Sequence, residues 1–332
     1  MINKINETLN VISNYFEKSY NNWIIAFSGG KDSTLVLLLL VEFLKTTNIR
    51  DKNVTIVYCD TGVEIPIMRE YTLEVLKRLS NFSNKLSLKI DVVTSEPDID
   101  DTFFVNVIGK GYVPPSFMFR WCTDRLRTKP LQKIANKQNC VIVLGTRKNE
   151  SIERDRVLKE NEISEYTYKQ KAYSKAIIFS PIINYSVDEI WESIELLNKD
   201  GIIDLSFLKH LYRGFVGSNE KDENSLGGRY GCWTCTVVRK DKACQNLISK
   251  GYDNLQYLFD YRELLINYKN NPENRLKNRK TLAEGKGPFK MSVRKILLDK
   301  LLETEKLSGY ELIRNDEVNR IYDIWKENLQ DC

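Results

Sequence analysis

Histidine occurs once in the 332 residues, at His210. That excludes zinc sites built on two or more histidines, and any chemistry needing a histidine pair within one chain. Long apolar runs are missing as well: the longest, Leu35 to Val41, is far too short to span a bilayer. No signal-peptide pattern follows Met1-Ile2-Asn3-Lys4. A cytoplasmic protein with no membrane involvement is therefore expected. There is no internal repeat and no low-complexity tract. Neither sign of charge dominates. Fifty Lys and Arg against 45 Asp and Glu leave a net +5, which tolerates a polyanionic partner without demanding one.

What is present points to a globular enzyme-like chain. Hydrophobic residues make up 42% and charged residues 29%, enough for a buried core. The length suits one large α/β domain with an appendage, or two domains. Seven cysteines, an odd count, read in a reducing compartment as metal, cluster or catalytic thiols before disulfides.

Hydrophobic spacing predicts a helix over residues 4–19, a short buried strand over Trp23–Phe27, and a strongly apolar helix from about Ser33 to Lys45. Val54 to Cys59 reads as a second strand, with a helix following through about Leu79. Leu86 to Val93 and Cys140 to Leu144 read as further strands. Alternating strands and helices of these lengths imply an α/β fold with an open parallel sheet. Past Pro181 the pattern turns helical, over Val187–Asn198, Ser206–Tyr212 and most of 240–329, with Ser292 and Asn315 as N-caps. A boundary near residue 185 is expected, dividing 1–185 from a helical, cysteine-bearing 186–332.

Between the first strand and its helix stands Phe27-Ser28-Gly29-Gly30-Lys31-Asp32-Ser33. Paired glycines let backbone N–H groups approach an anion, and a helix N-terminus adds partial positive charge. Lys31 can pair with phosphate oxygens, Ser28 and Ser33 offer hydroxyls, and Asp32 can help hold Mg²⁺ or fix the turn. An ordinary strand–helix turn accounts for the glycines but not for the polar residues around them. The span is too short for the G-x-x-x-x-G-K-[ST] pattern.

This string resembles the SGGxDS pyrophosphate loop of the adenine-nucleotide α-hydrolase-like superfamily. The resemblance implies a Rossmann-like sheet and cleavage of ATP between its α and β phosphates. Phe27 to Ser33 would then bind the nucleotide, with Lys31 and Asp32 in catalytic roles. Asp60-Thr61-Gly62-Val63-Glu64 resembles a stretch of the phosphosulfate (PAPS) reductase branch. Gly145-Thr146-Arg147-Lys148-Asn149-Glu150-Ser151, with Arg154, resembles that branch's G-x-R-x-x-E-S-x-x-R. Asp60, Thr61, Gly145, Arg147 and Arg154 join the nucleotide set by that resemblance. Arg147 is the third catalytic candidate, because a guanidinium offers bidentate donors to phosphate.

Cys232-Trp233-Thr234-Cys235 and Cys244, with Cys122 upstream in Arg120-Trp121-Cys122-Thr123-Asp124-Arg125, make four thiols. Four is the usual complement of an iron–sulfur cluster or a tetrahedral zinc. Thiolates among arginines and a lysine are expected to be acidified. Cys59 and Cys140, in or beside apolar strands, read as buried small hydrophobes, and Cys332 as a frayed end. The full set of motifs, from SGGKDS to R-Y-G-C-W-T-C-T-V-V-x-K-D-K, resembles the DndC/SspD group of DNA phosphorothioation proteins. That likeness implies replacement of a non-bridging oxygen of the DNA backbone by sulfur, with ATP, Mg²⁺ and a 4Fe–4S cluster on Cys122, Cys232, Cys235 and Cys244. Where some relatives place another cysteine, this chain has Ser225-Leu226-Gly227-Gly228, so Cys244 is a substitute ligand or one iron is open. A cysteine desulfurase as sulfur donor and other phosphorothioation-system proteins are the implied partners, and Lys277, Arg279 and Lys280 are candidate DNA contacts.

Three rivals share parts of this pattern. A PAPS or APS reductase shares the loop, but no E-C-G-x-H motif is present and no adjacent cysteine pair occurs. A tRNA-thiolating enzyme shares the adenylation logic, and a non-catalytic nucleotide sensor with structural zinc shares the cysteines.

Overall fold

The computed structural model describes residues 1–47, 52–137, 139–150, 152–214, 228, 230–278 and 281–330. Its first elements are α1 (Ile2–Lys18), β1 (Asn22–Phe27), α2 (Lys31–Thr46), β2 (Asn53–Cys59), α3 (Pro66–Lys85) and β3 (Ile90–Ser95). Next come α4 (Trp121–Thr123), α5 (Lys129–Ala135), β4 (Cys140–Val143), α6 (Ile152–Glu160), β5 (Glu162–Ser164), β6 (Thr167–Tyr168) and β7 (Ala176–Phe179). Helices close the chain: α7 (Val187–Leu197), α8 (Leu205–Tyr212), α9 (Lys242–Ile248), α10 (Leu255–Asn270), α11 (Met291–Ser308) and α12 (Asn315–Gln330).

Two compact units emerge, each drawn from three stretches: Met1–Cys59, Ile67–Ser95 and Leu131–Gly228 in one, Asp60–Pro66, Glu96–Pro130 and Arg229–Cys332 in the other. The units are therefore interleaved along the chain, rather than two consecutive domains meeting near residue 185.

The first unit holds one mixed sheet in the order β3-β2-β1-β4-β7-β6-β5. β3, β2, β1, β4 and β7 run parallel, and β6 and β5 fold back antiparallel. The parallel α/β expectation holds at the centre of this sheet. β1 is buried along nearly its whole length because β2 and β4 flank it. On one face Tyr15, Phe16, Trp23, Phe43 and Phe179 form a continuous aromatic stack. On the other, Ile24, Val57, Leu131, Ala135, Cys140, Ile142 and Ile178 close a second core layer. Ser186 opens α7 with a full capping box to Glu189.

In the second unit the segment before α4 serves as a seat for the last helices. A π-helical turn, Val105–Gly109, presents the Ile108 carbonyl to Arg294 Nε (2.7 Å) and Trp325 Nε1 (3.0 Å). Gly109 lets Ile321 and Ile324 come close, and Arg320 reaches Asp100 at 2.9 Å. These pairings span more than 180 residues of sequence, so helical periodicity alone gave no sign of them. Neither expected N-cap holds: Ser292 lies inside α11, whose N-cap is Lys290, and Asn315 is the first residue of α12, whose first bond runs from the Val318 N–H to the Arg314 carbonyl at 3.1 Å.

Candidate functional site

β1 ends at Phe27, whose side chain is buried in the core. The chain then turns at Gly29, with φ +72°, where a Cβ would stand 2.0 Å from Thr72 Oγ1. Only glycine fits there. Ser33 Oγ ties the turn together, donating to the Gly30 carbonyl (3.0 Å), accepting from the Ser28 N–H (3.2 Å) and lying 3.1 Å from Ser28 Oγ. Gly30 caps α2 without a side chain. The partly positive end of a sixteen-residue helix thus meets a loop of amides and hydroxyls.

β4 lies against β1 on the side opposite β2, so the strand order reverses between them. That switch point is where doubly wound sheets bind ligands, beyond the carboxyl ends of the strands. Gly145, two residues past β4, touches the loop so closely that a Cβ would lie 2.9 Å from both Asp32 C and Ser33 N. Arg147, 8% exposed, sends Nε to Asp32 Oδ1 at 2.6 Å and a terminal nitrogen to the Tyr185 carbonyl at 3.1 Å. Lys31 takes the other carboxylate oxygen, Oδ2, at 3.2 Å. It is 1% exposed, and its ammonium also donates to the Gly228 carbonyl (3.2 Å) and stands 5.3 Å from the Tyr212 ring centre. Burial alone would raise the Asp32 carboxyl, but Lys31 and Arg147 outweigh it and hold the pKa below the usual carboxylate range. The three catalytic candidates are thus one charge cluster. Tyr212, whose hydroxyl accepts the Lys31 N–H at 3.3 Å, belongs to it and carried no sequence signal.

Asp60 and Thr61 fall in the second unit, beside the cysteines. Gly62, at φ +71°, donates its N–H to Asp60 Oδ1 (3.0 Å), and Thr61 donates its own to Glu64 Oε2 (3.1 Å). Glu64 then bridges to Cys232 through the backbone, and the Trp233 N–H donates to the Val63 carbonyl at 3.0 Å. Two motifs 170 residues apart form one short ladder. Thr61 Oγ1 lies 4.0 Å from Cys232 Sγ and the Arg127 guanidinium 3.9 Å away. Cys122, Cys232 and Cys235 lie within electrostatic reach of one another.

Cys244 corrects the four-thiol expectation. Its thiol is buried against the Leu255 carbonyl (3.7 Å), at the packing of α9 on α10, and it interacts with Asp241, Arg262 and Asp260 rather than with the other cysteines. The expected acidification also fails. Desolvation pushes Cys232 up to about 12, and burial raises Cys122, with Arg127 opposing both. Cys140 is buried between β4 and α5 with its pKa pushed up to about 11, the small hydrophobe its strand predicted.

The phosphoadenosine phosphosulfate reductase domain matches residues 22–237, from the first residue of β1 to two residues past Cys235. The chain belongs to that family. An uncharacterized protein of Methanocaldococcus jannaschii is 28% identical over 183 residues, 54% of this chain and 32% of that protein. The chain thus covers about a third of the length of the curated relative it matches. Among solved structures, a phosphoadenylyl-sulfate (PAPS) reductase from Candida auris aligns with 65% of this chain and 90% of its own, at 10% identity and TM-score 0.39. The U34-tRNA thiolase NcsA of Methanococcus maripaludis, with its [4Fe-4S] cluster, aligns over 80% of both chains at 15% identity and TM-score 0.38.

In this PAPS reductase domain protein the described residues form no complete metal site. Asp32 gives one carboxylate oxygen to Arg147 and the other to Lys31. Among the described residues no three His, Cys, Asp or Glu side chains are arranged to hold a metal ion. Of the four expected thiols, Cys122, Cys232 and Cys235 come together and Cys244 stands apart. Arg154 lies on α6, with its side chain outside the described residues, as are Ser225 to Gly227 and Cys332. Of the expected DNA contacts, Lys277 is exposed and 3.3 Å from Glu284; Arg279 and Lys280 are outside the described residues. No helix among the described residues is long and apolar enough to cross a membrane.

Proposed function

We propose that this chain uses ATP at the β1–α2 loop to activate a phosphate-type oxygen, and that the acceptor is a DNA backbone phosphate destined for sulfur substitution. The observation that carries the nucleotide half is the contact of Gly145 and Arg147 with Asp32 at the switch point of the sheet. The DNA half rests on the C-W-T-C-T-V-V-x-K-D-K stretch and its likeness to DNA phosphorothioation proteins.

A phosphodiester oxygen is a very poor leaving group. Attack of a non-bridging oxygen on the α-phosphorus of ATP forms an O–P bond to AMP and expels pyrophosphate. A hydrosulfide, supplied through a desulfurase partner, then attacks the DNA phosphorus and gives up its proton, and AMP leaves with the former backbone oxygen. The chain's part is positioning and charge. Loop amides and the α2 N-terminus receive phosphate oxygens, and incoming phosphates compete with Asp32 for Lys31 and Arg147. Mg²⁺ would enter with the nucleotide, and the cysteines carry no step here.

Pyrophosphate release from ATP, with and without DNA, tests this in the wild type, Asp32→Ala and Asp32→Asn. We expect release in the wild type and its loss in both variants; equal release by all three overturns the loop assignment. Family membership favours one second reading, reduction of PAPS. Sulfite formation from PAPS and thioredoxin would establish that reading instead.

A further inference from the structure

Between Pro115 and Trp121 the chain forms a tight hairpin tip. The Ser116 N–H donates to the Phe119 carbonyl (3.1 Å) and the Phe119 N–H returns the bond (3.2 Å). Three consecutive large apolar side chains stand out from this closed turn: Phe117 59%, Met118 89% and Phe119 61% exposed. Single exposed apolar residues are ordinary, but a contiguous group on rigid backbone is not.

The feet of the tip are fixed. Trp121 is buried and donates Nε1 to the Val113 carbonyl at 3.0 Å. The Pro115 carbonyl accepts from Thr236 Oγ1 and from Lys269 Nζ, each at 2.6 Å. Thr236 also joins a second exposed segment, Val238-Arg239-Lys240, which starts two residues further on. Arg120 lies with its guanidinium 5.1 Å from the Phe117 ring centre. From Val113 to Arg120 and from Thr236 to Lys240 there are three cationic side chains and no carboxylate.

Flat apolar side chains beside cations, with no acidic residue between, suit an occupant that is itself flat, apolar-faced and anionic. We infer that the Phe117–Phe119 tip, with Arg120, Arg239 and Lys240, binds unpaired nucleobases of a single-stranded nucleic-acid segment. Bases stack on the tip and adjoining phosphates meet the cations. This rests on the DNA reading above and adds that the strand is met unpaired, because bases inside a duplex expose edges but not faces.

The test is fluorescence anisotropy with a labelled single-stranded oligonucleotide of mixed sequence and the duplex of the same sequence. Wild type should prefer the single strand. F117A/M118A/F119A should weaken single-strand binding roughly tenfold or more while changing duplex binding little. R239Q/K240Q should instead lower the slope of log affinity against log salt, by about 1.4 for two lost contacts on a single strand. Unchanged circular dichroism and an unchanged urea unfolding midpoint verify that the variants are folded. Single-strand binding by the triple alanine variant equal to wild type overturns the inference. So does loss, in that variant, of binding to anionic vesicles or of self-association while single-strand affinity stays. Absence of pyrophosphate release by wild type sinks the ATP reading alone and leaves the binding result standing.

Discussion

The β1–α2 loop and the Cys232–Cys235 turn each hold reactive groups on a short stretch of backbone, but their cations are answered differently. In the loop, Lys31 and Arg147 converge on Asp32, and Arg147 also lies 3.9 Å from the buried Glu150 side chain, in a cluster that joins Lys31 and Asp32 to residues more than 100 positions away. At the cysteine turn, the buried Arg262 donates Nε to the Cys235 carbonyl at 2.7 Å and one terminal nitrogen to the Val238 carbonyl, and its other terminal nitrogen pairs with the half-exposed Glu263. Lys269 adds the Thr236 carbonyl at 3.3 Å. Charge answered by charge makes a unit whose members depend on one another. Charge answered mainly by carbonyls makes a clamp whose release leaves the half-exposed Glu263 to water rather than a buried ion unpaired.

Four substitutions and one change of pH press on this contrast. Asp32→Ala removes the carboxylate that Lys31 and Arg147 share, leaving Arg147 with Glu150 at 3.9 Å and Lys31 with the Gly228 carbonyl, so the first unit should lose about 3 kcal/mol, read by denaturant unfolding. A drop below about 1 kcal/mol would mean that water replaces the carboxylate. Arg262→Met should cost about 3 kcal/mol and raise hydrogen exchange at Thr234 to Val238, leaving the Gly29–Ser33 amides protected. Should exchange rise in both places, the two clamps are not independent. Gly145→Ala drives a methyl into Asp32 and Ser33 backbone, costing about 1–3 kcal/mol and weakening ATP binding. Gly231→Ala, with nothing within 4 Å of its added carbon, should stay within about 0.5 kcal/mol.

Acid gives the smallest effect. The folded Asp32 pKa lies below its unfolded value, so its contribution is fully present above about pH 4 and fades as pH falls through the depressed value. The stability gap between wild type and Asp32→Asn should therefore narrow between pH 4 and pH 2 in a urea titration. A gap that widens on acidification contradicts the ion-cluster description.

Much of the first unit was legible because its signals are local. A buried strand, two glycines and an apolar helix announce β1, the turn and α2 within 25 residues, and the structure keeps them in that order. β7 was missed: it follows a hairpin of five strand residues, too short to show a period of two. β3 begins at Ile90 rather than Leu86, since the α3 end and a left-handed Ser87 consume the first residues of that apolar run. The second unit was barely legible. Glu64, Arg127, Arg262 and Lys269 around the cysteines carry no mutual spacing in sequence, because the chain brings them together over distances up to about 200 residues. Cys244 looked like a ligand by its distance from Cys235, but its place on the buried side of α9 made it core.

The antiparallel return of β6 and β5 settles how the sheet meets other molecules. Its last strand has three residues, all exposed and beginning with Glu162, while the opposite border, β3, carries the exposed Asp91. Neither rim offers a long, flat, uncharged row of amides to a neighbouring copy. Concentrated preparations should therefore resist sheet-to-sheet aggregation, leaving the apolar hairpin tip of the second unit as the place where unwanted self-adhesion begins.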